Sequence, residues 1–290
     1  MTEFDNHDYP RSSVNLLAPL TQRLATEPAV LVTVAAAHGS VPREEGAWMV
    51  VFARGELGTV GGGQLEWQAM AQSRQALQGL AVLPPQQRVA LGPSLGQCCG
   101  GAVELSFEAI SAKDLPVLQQ RLLPMLRPVA LFGGGHVGRA LVDVLSRLPF
   151  AVRWIDSRDE VFPRGLPEQV VCEHSDPVQA AVADLLPHSQ VLIMSFSHAQ
   201  DLDVVAACLQ RLRVRDDLPF IGLIGSATKW ATFQHRLREK GFAEEEIQRI
   251  TCPIGVPGIS GKQPEVIAVS VAAQLLKQSE QSEQSGSDPN

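Results

Sequence analysis

The chain has 290 residues, 45% hydrophobic and 19% charged, and its length exceeds what one core usually organises, so two domains are expected. A net charge of −7, a pI near 5.5 and a single Tyr argue against a nucleic-acid-binding surface, which would want a basic stripe or a stacking platform. The polar, acidic start lacks a secretory pattern, and apolar runs such as Ala29 to Val32 fall far short of the roughly 20 residues of a membrane helix. Five cysteines without disulfide-framework spacing suit a reducing cytoplasm.

Apolar residues at helical spacing (Leu16, Leu17, Leu20, Leu24) predict an amphipathic helix over Val14 to Leu24. Ala29 to Ala37 reads as a buried strand leading into the loop His38 to Gly46, which carries Arg43. Trp48 to Phe52 and Leu57 to Val60 read as strands around a tight turn at Arg54-Gly55-Glu56. Gly61, Gly62 and Gly63 then precede a helix to about Leu80. Glycines in that position make an N–H-rich loop that either holds an anion or packs closely at a sharp corner. Arg43 tilts the choice toward binding, because a guanidinium recognises phosphate or carboxylate bidentately; a plain surface charge is the alternative.

Between strand-like segments Gln87 to Leu91 and Ala102 to Glu108 lies the loop Gly92-Pro93-Ser94-Leu95-Gly96-Gln97-Cys98-Cys99-Gly100-Gly101. A free Cys is often only a small buried hydrophobe. This pair sits among loop glycines instead, where a thiolate suits soft-metal or sulfur chemistry. A structural zinc lacks the partner ligands, and the CC spacing does not match a CxxC redox site.

Lys113 to Arg127 reads as a helix and connection. Val129 to Phe132 is a short apolar strand, followed by Gly133, Gly135 and Gly138 in G-x-G-x-x-G spacing, a helical pattern, and a second strand ending on Asp156. The first glycine permits the tight turn, the second lets backbone approach a pyrophosphate, and the third lets helix pack on strand. Asp156 follows Gly138 by 18 residues, where an acid accepts hydrogen bonds from a ribose. Further strands are expected at Val170 to Cys172, Gln190 to Ser195 and Phe220 to Ile224. Helices are expected at Pro177 to Leu185, Asp201 to Leu212, after Gly225-Ser226 to Lys240, and Pro264 to Leu276. The alternation predicts a doubly wound parallel sheet with ligands at the carboxyl ends of its strands. His198, Asp201 and Asp203 read as an acid–base or ligand cluster, although for Asp201 the helix N-cap is the favoured reading. Cys172 and Cys208 read as packing residues, and the Gly/Pro loop Cys252 to Lys262 as a shaped loop whose lysine reaches an anion. The low-complexity end, QSEQSEQSGSDPN, is expected to carry no structure.

The segments GSVPREEGAWMVV, GTVGGGQLE, LGQCCGG, FGGGHVGRAL, FSHAQDLDVV, IGLIGSATKW and CPIGVPGISGKQPEVIAVSVAAQLL together resemble the XdhC family, xanthine dehydrogenase accessory proteins, over about residues 12–277. The resemblance implies an α/β chain: an XdhC-type N-terminal domain (12–110), a connecting helix or linker (111–127), a Rossmann-like domain (128–277) and a disordered tail (278–290). It implies a chaperone, not an enzyme, that binds molybdenum cofactor (molybdopterin), supports its sulfuration by a NifS-like cysteine desulfurase and helps insert it into apo-xanthine dehydrogenase. Homodimers are typical of such proteins. Carried onto this chain, Gln97, Cys98 and Cys99 become candidate cofactor-binding residues, with the two cysteines facing the molybdenum. Gly61, Gly62, Gly63 and Arg43 would cradle the pterin phosphate, and His198 joins the Rossmann residues. One departure is Ser197, where many relatives carry Thr; the hydroxyl is kept.

The simple cofactor has one phosphate, whereas the Rossmann fingerprint suits a pyrophosphate. A dinucleotide form of the cofactor, a separate NAD(P), or a fold kept as scaffold would each resolve the mismatch. Two competing functions follow: an NAD(P)-dependent oxidoreductase with His198 as acid, and a sulfur-transfer enzyme with Cys98 or Cys99 as persulfide carrier. A dehydrogenase has no evident need of LGQCCGG.

Overall fold

The computed structural model describes residues 16–92 and 100–286. It divides into two compact units, Met1–Pro124 and Met125–Asn290. No described helix is long and apolar enough to cross a membrane.

The first unit is a five-stranded antiparallel sheet in the order β3-β2-β1-β5-β4, built from β1 (Ala29–His38), β2 (Trp48–Val51), β3 (Glu56–Gly58), β4 (Gln86–Ala90) and β5 (Ala102–Ile110). The central strand β1 is apolar on both faces because both are covered. Val30, Val32 and Val34 pack with α2 (Gly63–Leu77), while Ala29 and Leu31 pack with α1 (Leu17–Leu24) and α3 (Leu115–Arg121). Thus Leu118 and Leu122, in the segment read as a connection, belong to the core of this unit.

The registers His38↔Ala102, Ala90↔Ala102, Thr33↔Trp48 and Met49↔Gly58 bring one end of every strand to one rim. Three loops leave from that rim: 39–47, 59–62 and 91–101.

The second unit is a six-stranded, wholly parallel sheet in the order β11-β10-β9-β6-β7-β8. Its strands are β6 (Arg127–Phe132), β7 (Phe150–Asp156), β8 (Val170–His174), β9 (Gln190–Ile193), β10 (Phe220–Leu223) and β11 (Ile250–Thr251). The chain runs outward from β6 to β8, then returns to β9 on the other side, which is Rossmann connectivity with a topological switch point between β6 and β9. Val129 and Leu131 face α4 (His136–Leu145) and α8 (Pro264–Gly286). Ala130 and Phe132 face the opposite core, which takes in α5 (His198–Arg215), α6 (Ala227–Glu239) and α7 (Glu244–Ile247). Burial on both faces is why β6 reads as an unbroken apolar run.

Four expectations change. Residues 178–184 form a 3-10 helix instead of an α-helix; the carbonyls of Val182 and Leu185 accept from Arg211, and so bond a side chain instead of continuing a helical ladder. Helix α5 begins at His198, and its N-cap is Ser197, whose hydroxyl accepts from Gln200 N, not Asp201. Cys172 is exposed on the edge strand β8, whereas Cys208 is buried as expected. Finally, α8 continues through Gly286, its extension held by buried Ser279, which accepts from Gln190 Nε2 at 2.7 Å.

Arg211 is nearly buried and also donates to both oxygens of Asp217, at 2.7 and 2.8 Å. Replacing it by Ala strands a shielded carboxylate and two buried carbonyls. We expect Arg211→Ala to lose about 3 kcal/mol or more in denaturant unfolding; a loss under about 1 kcal/mol would show that this network does not hold the 3-10 segment.

Candidate functional site

In the first unit, the rim collects most of the residues singled out from sequence. The side chain of Pro42 and the Cγ of Arg43 lie against Gly61, whose φ of +126° and lack of room for a Cβ make glycine necessary there. Arg43 pairs with Glu44 at 3.3 Å through Nη2, while its Nε is shielded and has no partner among the described residues. Gln97, Cys98 and Cys99 lie outside the described residues. The chain on either side of them is anchored at the rim, by Leu91 N donating to Gly101 O and Gly101 N donating to Ser40 O.

The glycine loop itself holds a carboxylate from its own chain. Glu66 Oε2 accepts from Thr59 Oγ1 at 2.6 Å, Gly62 N at 2.9 Å and Val60 N at 3.1 Å, and Gly61 N donates to Thr59 Oγ1. An external anion would therefore have to displace Glu66 or bind through Arg43. Sequence reading missed this; the signal was an acid one helical turn past a glycine cap, the pattern by which a side chain satisfies orphan amides at a helix start.

In the second unit, Gly133, Gly135, Gly138, Asp156 and His198 all fall at the carboxyl edge of the sheet, around the switch point. Gly133 has φ +124°, and a Cβ there would collide with Met194 O. A Cβ at Gly138 would collide with Gly133 O, so the third glycine permits a close approach of α4 to the loop at the end of β6. Trp154 Nε1 also donates to Gly133 O at 2.9 Å, fixing the turn from below. Gly135, by contrast, caps α4 with φ −74° and has nothing within 4 Å of where a Cβ would stand. That open space at a helix N-terminus is where a phosphate approaches backbone in this fold.

Asp156 is buried. It accepts from Gly134 N at 2.6 Å and from Arg158 N, Nε and Nη2, each at 2.9 Å. Burial alone would push its carboxyl up; the hydrogen bonds from Arg158 and Gly134 overcome this and hold it below the usual carboxylate range. The guanidinium of Arg158 lies over the exposed ring of Phe196, 4.5 Å from its centroid. His198 is exposed at the start of α5, its ring edge-on to Phe233 at 6.3 Å.

Beside it is a network not foreseen from sequence. Asp201 Oδ1 accepts from Ser195 N at 2.7 Å and Ser195 Oγ at 2.5 Å, and its Oδ2 pairs with Lys229 Nζ at 2.6 Å. Lys229 also donates to Ile224 O at 2.7 Å. Burial pushes the neighbouring Cys252 thiol up to about 11, with Lys229 pulling the other way, so this sulfur stays protonated near neutrality. Lys262 is exposed and lines a cavity of about 380 Å³ with Gly225, Ile254 and Ile259. Among the described residues no group of three or more His, Cys, Asp or Glu is arranged to hold a metal ion.

Comparison with known proteins yields two family matches: residues 129–275 match the XdhC Rossmann domain, and residues 23–83 match the XdhC and CoxI family. The uncharacterized protein YqeB of Escherichia coli (strain K12) is 31% identical over 257 residues; the match covers 86% of this chain but only 43% of YqeB. A crystal structure from Bacillus halodurans, described as a xanthine dehydrogenase, superposes with a TM-score of 0.74 at 20% identity, covering 96% of this chain and 98% of that one. At that identity the likeness speaks for the fold.

The glycines of the second unit differ sharply in what a side chain would meet. Gly133→Ala is expected to cost roughly 2–5 kcal/mol, from a left-handed backbone and a backbone collision. Gly135→Ala should cost about 1 kcal/mol or less. Chemical denaturation of the two variants distinguishes them; equal losses would contradict the packing described.

Proposed function

The chain belongs to the XdhC family, and from that membership we propose that it is a molybdenum-cofactor-binding chaperone that supports cofactor sulfuration and insertion into xanthine dehydrogenase. Its partners on this reading are apo-xanthine dehydrogenase and a NifS-like cysteine desulfurase, and it works as a homodimer. The observation that carries the proposal is the rim of the first unit. One end of one sheet collects Arg43, the glycine loop and both anchors of the loop that bears Cys98 and Cys99.

The donor set matches the cargo in kind. A pterin dithiolene with a terminal phosphate asks for a cationic anion donor and for soft ligands. Arg43, whose side chain is 32% exposed, suits the phosphate. Cys98 and Cys99 suit the molybdenum end, since thiolates are the soft ligands among protein side chains. Glu66 holds the glycine loop in shape, and releases Gly62 and Val60 amides only if it is displaced.

The second unit takes a pyrophosphate ligand at the Gly133–Gly138 loop, either a dinucleotide form of the cofactor or NAD(P). The space left at Gly135 favours a ligand over a bare scaffold. It also keeps a second function in play, an NAD(P)-dependent oxidoreductase, for which His198 at the switch point is the available acid.

Cysteine variants test the cargo assignment. Cys98→Ala and Cys99→Ala, purified anaerobically from cofactor-replete cells, should each retain less molybdenum than the parent by metal analysis. Undiminished metal in both single variants and in the double variant would rule the cysteines out as ligands.

A further inference from the structure

In a Rossmann unit that binds NAD, the acid ending the second strand offers its carboxylate to the ribose diol. A carboxylate has about four acceptor positions on its two oxygens. On Asp156 all of them are in use: Oδ1 takes Arg158 N and Nε, and Oδ2 takes Gly134 N and Arg158 Nη2. With its side chain only 1% exposed, Asp156 has no capacity left for a diol.

Arg158 is placed the other way. Its side chain is 39% exposed, and the ion pair uses one edge of the guanidinium. The Phe196 ring supports one face. The remaining N–H groups of the fork have no protein partner among the described residues. A second cation, Arg139 of α4, reaches across to this loop by donating to Val161 O at 3.0 Å, and Val161 packs against Gly134. Asp159 and Glu160 follow Arg158 on a short 3-10 turn and set two carboxylates against the two arginines, so any phosphate recognition falls to the guanidinium fork and not to a general positive field.

We propose that the second unit selects adenine dinucleotides phosphorylated on the ribose 2′ position, NADP(H), over NAD(H), and that Arg158 is the discriminating residue. An open carboxylate at this place binds the diol and repels a 2′-phosphate. Here Arg158 cancels the carboxylate's charge, uses up its acceptors and presents a fork that fits phosphate geometry. The proposal rests on the reading that the Gly133–Gly138 loop carries a pyrophosphate.

Titration of the full chain with NADPH and NADH, and with adenosine 2′,5′-bisphosphate against 5′-AMP, tests it. NADPH should bind about tenfold tighter or more, the worth of a hydrogen bond to a charged group. In Arg158→Ala the preference should vanish, with NADH binding tighter than before because Asp156 is released to take the diol. That gain is not expected of a merely structural residue. Arg158→Lys, which keeps a cation but loses the fork, should weaken the preference, and it carries the test if the alanine variant does not fold. Equal affinities in the parent, tighter NADH, or a preference surviving both substitutions would overturn the selection while leaving nucleotide binding intact. No binding of any of the four ligands would overturn the reading of that loop as a nicotinamide-dinucleotide site, and the selection with it.

Discussion

A carboxylate taken out of water must be met by donors, and that requirement organises the site edge of the second unit. Asp156 is the case in point. By accepting from Gly134 it pins the glycine loop to the end of β7, and by accepting from Arg158 it fixes a cation beside that loop. Asp201 does the same across the switch point, tying the end of β9 through Ser195 to the first turn of α6 through Lys229. The two carboxylates hold both sides of the crevice in which this fold receives ligands. Arg158 over Phe196 and Gln200 donating to Ser157 at 2.8 Å then link one side to the other.

The first unit repeats the device with a different outcome. There Glu66 enters the glycine loop and satisfies amides that the sequence would assign to an external anion. Both units thus pair a glycine-rich loop with a carboxylate of their own, and what remains for a ligand differs. In the second unit the open position is Gly135, at the N-terminus of α4. In the first it is Arg43, whose side chain is partly exposed at the rim. Each loop is shaped internally, and the proposed binding rests on the neighbouring residue that the carboxylate leaves alone.

Much of this was legible in the residues. Residues 29–32 of β1 and 129–132 of β6 read as apolar runs because both faces of these strands are covered. The fingerprint glycines carried distinct roles that Gly133 and Gly138 fill by collision geometry. Harder to read were contacts between residues far apart in sequence. Nothing local marks Arg211 as the group that draws the carbonyls of 182 and 185, so a helical pattern at 178–184 was natural to expect. Asp201 looks like a cap because Asp is a good cap; only the fold shows that Ser197 has taken that task and that Lys229, 28 residues on, is the acid's partner. The start of the low-complexity run after Lys277 joins α8, where Ser279 meets Gln190 across 89 residues. Arg158 sits two residues from Asp156 and was visible, yet its bidentate hold on that acid depends on how β7 ends.

The central claim is that this chain carries molybdenum cofactor. Its most direct test is the molybdenum and pterin content of the full chain purified anaerobically from cofactor-replete cells, measured beside nicotinamide nucleotide binding. Near-stoichiometric molybdenum and pterin are expected. Tight nicotinamide binding by a chain that brings down neither, even from replete cells, would contradict it and make the protein an oxidoreductase.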